Sequence, residues 1–200
     1  MTEQPKIMKL RPEHAHQVAE LHISGISTGF ISSLGVDFVT ALYEAIARSE
    51  SGIGFVTEQN EKVIGFIAFT TNLNRLYKSI ILKKGVRFAF LLTSKLCSFK
   101  RIKKVFETLF YPSRIKKKNL PSAELLSIVV APQCRGKGLA GQLVETGFQE
   151  CRKRNIDRIK VLVGADSIVA NKLYLKCGFK LVERIDNHGI LSNIYVAKIG

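Results

Sequence analysis

Cysteine is scarce and scattered in this sequence. Cys97, Cys134, Cys151 and Cys177 form no CxxC pair, so neither a disulfide framework nor a zinc site is expected. The thiols should behave as small buried hydrophobes in a reducing compartment. The four histidines, His14, His16, His22 and His188, show no metal-ligand spacing, and no metal is expected. Long apolar runs are missing too. No stretch reaches the eighteen uninterrupted apolar residues that would mark a spanning helix. Met1-Thr2-Glu3-Gln4-Pro5 carries no signal-peptide pattern, which points to the cytoplasm. Internal repeats are absent.

Acidic residues are few: 16 against 31 Lys and Arg, a net charge of +15. The excess is concentrated. Residues 72–120 hold fourteen Lys or Arg and one acid, Glu107, and so carry +13 of that charge. Such segregation marks one region rather than the whole fold. The remaining composition, 46% hydrophobic and 24% charged over 200 residues, suits a single globular domain with a sizeable core. Residues 72–120 are therefore expected as an insertion of two or three helices followed by a lysine-rich loop ending at Pro121.

One stretch is strongly marked. The apolar run Leu125–Val130 is stopped by Pro132, Gly136 and Gly138 follow one residue apart, and Leu139, Leu143, Val144, Gly147, Phe148 and Cys151 then recur at helical spacing. This predicts strand, glycine-rich turn, helix. Such a turn aims unpaired N–H groups at one point, at the positive end of a helix dipole, and so favours phosphate. Glycine removes the Cβ that would hold a ligand away from the backbone. Arg135 and Lys137 add positive charge.

Around it the periodicities predict a strand at 6–11, a helix at 14–23 and a second helix from 36 or 37 to 48, with Phe38, Val39, Leu42 and Ile46 inward. A hairpin at 52–57 and 62–71 follows, with a bulge or close approach at Gly65. After the marked stretch come a strand at 158–163, a helix at 167–176 ended by Gly178, and strands at 179–185 and 190–199. Asp186-Asn187-His188-Gly189 reads as the turn between the last two.

This order resembles the GNAT superfamily of acyl-CoA-dependent N-acyltransferases. Two motifs carry the resemblance. Gln133-x-x-Gly136-x-Gly138 is similar to that family's pyrophosphate loop, and Asn171-x-x-Tyr174-x-x-x-Gly178-Phe179 to its second cofactor motif. A dinucleotide-binding fold fits less well, because G-x-G-x-x-G and the acid about twenty residues beyond it are missing. The resemblance implies an α/β fold (an α+β mixed sheet) flanked by helices, with the basic insertion between the third and fourth strands. It implies acetyl-CoA as cosubstrate and no metal. The strand 125–130 would splay from 158–163, so that Ile128, Val129 and Val130 meet the pantetheine chain. Gln133, Cys134, Arg135, Gly136, Lys137, Gly138, Leu139 and Ala140 would surround the pyrophosphate. Asn171 would hydrogen-bond the cofactor arm. Tyr174 would protonate the leaving sulfur, a role suited to a phenol that is neutral at pH 7. Glu124 would act as general base.

The expected reaction is direct attack of a primary amine in a ternary complex. The acceptor would lie between the first two helices and the last hairpin, at Thr28-Gly29-Phe30-Ile31 and Asp186-Asn187-His188, with Phe30 and Ile31 as contacts. A basic lid favours an anionic acceptor, for example a nucleotide-linked amino sugar. Two alternatives stand beside it: a protein or peptide amine, and a basic segment that binds an anionic membrane surface or nucleic acid. The cations are mostly lysines without a nucleic-acid motif, which disfavours nucleic acid. A homodimer is in keeping with the family.

Overall fold

The computed structural model describes residues 3–27, 29–82, 120–187 and 190–200. Short runs rich in Val, Ile and Phe form its strands, since such side chains fill a pleated surface well. They are β1 (Lys6–Lys9), β2 (Gly52–Gln59), β3 (Lys62–Thr70), β4 (Glu124–Val130), β5 (Arg158–Gly164), β6 (Lys180–Asn187) and β7 (Ile190–Lys198). Together they make one sheet in the order β1-β2-β3-β4-β5-β7-β6. Every neighbouring pair is antiparallel except β4 and β5, which run parallel. The sheet is mixed, as expected, and its parallel step falls at the marked stretch.

Among the described residues the helices α1 (Ala15–Gly25), α2 (Val36–Arg48), α3 (Leu139–Lys153) and α4 (Ile168–Lys176) flank it. Strand alternation divides the apolar residues between two cores. Val63, Phe66 and Ala68 of β3 pack with α1 and α2, whereas Ile64, Ile67 and Phe69 pack with α3. Each fully buried Leu or Ile, such as Leu143 or Ile67, contributes roughly 1.5–3 kcal/mol. Gly147 lets α3 approach closely, because a Cβ there would collide with the Phe69 ring.

Several boundaries and faces differ from expectation. The first strand ends at Lys9, since Pro12–His14 forms a 3-10 turn ahead of α1. In α2 the buried residues are Val39, Ala41, Tyr43 and Ile46, while Phe38 and Leu42 are half-buried. Phe38 and Leu42 still pack against that core, and Tyr43 joins it with its hydroxyl partnered by His22 Nδ1 at 2.7 Å and Ser127 Oγ at 2.7 Å. A tyrosine with a satisfied hydroxyl can bury its whole ring. The bulge expected at Gly65 is present, with Ile64 as its extra residue, because Thr57 pairs with Gly65 and Glu58 with Val63. The last strands meet differently as well: Asp186 and Asn187 belong to β6, and His188 and Gly189 lie outside the described residues.

The basic segment begins as ordinary core. Residues 73–82 are helical, and Leu73, Leu76 and Ile80 are buried in the core under α1 and α2. Spacings of three and four make that stripe. Ile81 and Leu82 are exposed. The expected further helices and lysine-rich loop fall in 83–119, outside the described residues.

Candidate active site

The site begins where two strands part. Strands β4 and β5 pair only at Glu124↔Lys160 and Leu125↔Val161. Beyond that point β4 stays with β3 as far as Gly65↔Val130, and β5 stays with β7 as far as Gly164↔Ser192. Each strand is thus held from its outer side, and a gap opens between them. The β4 backbone along that gap, through Ile128 and Val130, has no ladder to β5; the Val130 carbonyl is taken by Arg135 Nε, and the other polar groups there call for another partner.

At the open end the chain makes the glycine turn. Gly136 and Gly138 have φ of 77° and 79°, in the left-handed region that only glycine enters cheaply. A Cβ at either would meet nothing within 4 Å, so the space beside this backbone is open. Gly138 is the N-cap of α3, whose positive end therefore faces the turn. Gln133, Arg135 and Lys137 are exposed, Cys134 and Leu139 are buried, and Ala140 is half-buried. Arg135 does more than add charge: its Nε donates to the Val130 carbonyl at 3.0 Å, stitching the turn to the strand end.

Across the gap, α4 follows β5 after a short turn. The Asn171 amide is fully occupied. Its Nδ2 donates to the carbonyls of Gly164 and Ser167, each at 2.9 Å. Its Oδ1 accepts from Tyr195 Oη at 2.7 Å and from Asn193 Nδ2 at 2.7 Å. The acceptors and donors around it leave one consistent amide orientation. In this structure the Asn171 side chain ties the turn after β5 to β7. One turn further on, Tyr174 is buried, with its ring 5.5 Å edge-on from Phe179 and 6.3 Å from Tyr195. Burial raises the Tyr174 pKa well above the ordinary phenol value, so the hydroxyl keeps its proton throughout the physiological range.

Glu124 closes the other end of the gap. It is 6% exposed, and its Oε2 lies 3.3 Å from Lys160 Nζ. Lys160 also donates to the Pro121 carbonyl at 2.7 Å. Burial pushes the Glu124 pKa up, and Lys160 pulls it part of the way back. Tyr77 is close enough for the Glu124 charge to add to the raised pKa that its own burial causes.

The acetyltransferase (GNAT) family model matches residues 27–179. The chain belongs to this family. The GNAT enzyme shares its fold with a Staphylococcus aureus Mu50 N-acetyltransferase, at 17% identity, 99% coverage of this chain, 100% of that one and a TM-score of 0.66. It also shares it with the ribosomal-protein-S18-alanine N-acetyltransferase of Escherichia coli (16%, 98% and 94%, 0.62) and with Arabidopsis thaliana NAA60 in complex with acetyl-CoA (15%, 98% and 99%, 0.62). No curated protein sequence matches it. As a GNAT member it is an acyl-CoA-dependent N-acetyltransferase, with acetyl-CoA as its cosubstrate. The open left-handed turn at the α3 N-terminus fits a pyrophosphate, and the β4–β5 gap fits an extended amide-bearing arm.

The GNAT scaffold does not gather all the expected residues on one face. Tyr174 lies in the α3 core and Ile31 in the core of α1 and α2, with the sheet between them. The gap between β4 and β5 is the break in the sheet through which the two sides meet. Phe30 and Ile31 are half-buried in the turn after α1, and Ile31 shares its core with Val129. Thr28 and His188 lie outside the described residues. Sequence reasoning missed Lys160, Tyr77, Tyr195 and Asn193. Of these only Lys160 had a signal, as the alternating cation on the strand that would pair with β4.

Proposed function

We propose that this enzyme transfers the acetyl group of acetyl-CoA directly to a primary amine held in a ternary complex, and that the acceptor is an anionic small molecule such as a nucleotide-linked amino sugar. One observation carries the transfer: β4 and β5 part just beyond Leu125↔Val161, with Glu124 at the closed end of the gap and the glycine turn at the open end. Acetyl-CoA supplies an activated thioester. The β4 backbone at Ile128 and Val130 holds the arm, and the amides from Arg135 to Ala140 hold the pyrophosphate at the α3 N-terminus.

Glu124 takes the ammonium proton, directly or through water. Its burial raises its proton affinity above that of an exposed carboxylate, which suits a base that must work near neutrality. Tyr174 remains protonated and gives its proton to the departing sulfur. Phe30 and Ile31 border the acceptor. Positioning of the two substrates adds to the rate by removing the entropy of their encounter.

The anionic acceptor is favoured by the +13 carried by residues 72–120. A protein or peptide amine is the second reading, and the name of the Escherichia coli neighbour, which acts on a ribosomal protein, favours it. We place the enzyme in the cytoplasm, with its basic segment able to touch an anionic membrane surface and a homodimer as its assembly. The deciding experiment screens amino sugars, nucleotide-linked amino sugars, polyamines, amino acids and peptide N-termini for release of free CoA. Turnover confined to anionic small amines is the expected result, and turnover confined to peptides would overturn it. Acetyl-CoA should also stabilise the fold by about 2.7 kcal/mol at a hundredfold excess over its Kd; no rise in Tm would refute the cofactor site drawn above.

A further inference from the structure

The amide of Asn171 ties β7 to the turn between β5 and α4, beside the β5–β7 ladder and the contact between the Tyr174 and Tyr195 rings. From β7, Tyr195 Oη and Asn193 Nδ2 both donate to its Oδ1, each at 2.7 Å. Its own Nδ2 spans the turn after β5, donating to the Gly164 and Ser167 carbonyls at 2.9 Å. Tyr195 and Asn193 are each 4% exposed. Asn193 Oδ1 is buried without a partner, an unfavourable state that an apolar residue would avoid. Asn193 thus keeps its place through the hydrogen bond that it donates. Hydrogen bonds are directional, so this cluster determines position more narrowly than an apolar contact could.

What it positions follows from spacing. Tyr174 stands three residues after Asn171, on the same face of α4. Tyr195 contacts both: its hydroxyl reaches Asn171, and its ring lies 6.3 Å from that of Tyr174. We propose that Tyr195, supported by Asn193, is a positioning residue for Tyr174, setting the first turn of α4 against the end of β5 through the Asn171 amide. This inference rests on the reading of Tyr174 as proton donor.

Tyr195→Phe tests it, since it keeps the ring and removes the donated hydrogen bond. Without any cofactor, amide hydrogen exchange across residues 171–174 should quicken by about tenfold while the β2–β3 hairpin stays protected; unchanged exchange in 171–174 overturns the proposal. Release of free CoA from acetyl-CoA by water, which needs the same proton on sulfur, supplies the second readout. Tyr195→Phe should lower its kcat by about tenfold to 10²-fold with the acetyl-CoA KM nearly unchanged. In a Tyr174→Phe background the same change should cost almost nothing more, because the two residues act as one unit. A full further loss in that background overturns the positioning role alone. Wild-type turnover by Tyr174→Phe overturns the proton-donor reading itself. Should Tyr195→Phe fold poorly, Asn193→Ala completes the same cycle with a smaller effect expected.

Discussion

Glu124 and Lys160 face each other across the parallel step between β4 and β5, and their opposed effects on one proton can be separated. Burial raises the Glu124 pKa and the Lys160 charge lowers it. Lys160→Met removes only the second effect. The carboxyl then holds its proton to higher pH, so the acid limb of the kcat/KM profile should move upward; a limb that stays in place or moves down would count against Glu124 as base. Tyr174→Phe should lower kcat by about 10²–10⁴-fold, the usual range for a lost acid, while acetyl-CoA still raises the Tm. Because burial keeps the Tyr174 hydroxyl protonated, wild-type activity should show no basic limb from this group near neutrality. Of these residues the second motif pointed to Tyr174, and the family resemblance pointed to Glu124 through its place at the start of the central strand. Nothing local distinguished Tyr43, since its partners His22 and Ser127 stand 21 and 84 residues away in the chain.

At the scale of elements, α3 was the most legible part of the molecule. Its expected apolar face, Leu139, Leu143, Val144, Gly147, Phe148 and Cys151, is the face that is buried. One helix packed on one sheet face imposes a simple periodicity, and the sequence displays it. The two kinds of glycine in this region predict different failures. Gly138→Val meets no neighbour but forces a β-branched residue to φ near 79°, costing about 1–2 kcal/mol. The stabilisation by acetyl-CoA should shrink much more than the unliganded Tm does, as paired melting curves would reveal. Gly147→Leu is the opposite case. It drives a side chain into the Phe69 ring and should cost roughly 1–3 kcal/mol of stability by overpacking, seen in denaturant melts without cofactor. In helix α2 the expected inward residues pack on the core, but Tyr43 was missed, because its burial depends on polar partners in α1 and β4 rather than on hydropathy alone.

For the whole molecule, global stability should carry a pH signature from His22. The ring is buried between Tyr43 and Phe66, and burial lowers its pKa from 6.5 to about 4. Between those values the unfolded chain binds a proton that the folded protein refuses, so stability rises with pH there. The contribution is fully present above about pH 6.5 and is lost as pH falls toward 4. The Tm of the wild type should therefore drop across that window, and His22→Phe should flatten the drop; an equal slope in both proteins would exclude His22 as its source. No helix among the described residues is long and apolar enough to cross a membrane. The proposed surface contact by the basic segment predicts binding to anionic vesicles at low salt. Failure to bind them would remove the membrane proposal and leave the enzyme reading intact.

Local chemistry alone determined the order of elements, the strand–turn–helix and the segregation of charge, and the resemblance to a family read the two cofactor motifs from the same line of residues. The first three depend on periodicity, on glycine at left-handed positions or on simple counting, all of which are written along the chain. Tertiary structure decided the rest. Only the pairing of β4 with β5 for two residues, and no further, opens the gap. Only the packing of β7 beneath α4 brings Tyr195 and Asn193 to the Asn171 amide, which clamps the turn leading into the helix of Tyr174. Hydrogen-bond partners distant in sequence come together because the sheet orders its strands 4-5-7-6, and no local pattern records which side chain will arrive opposite another.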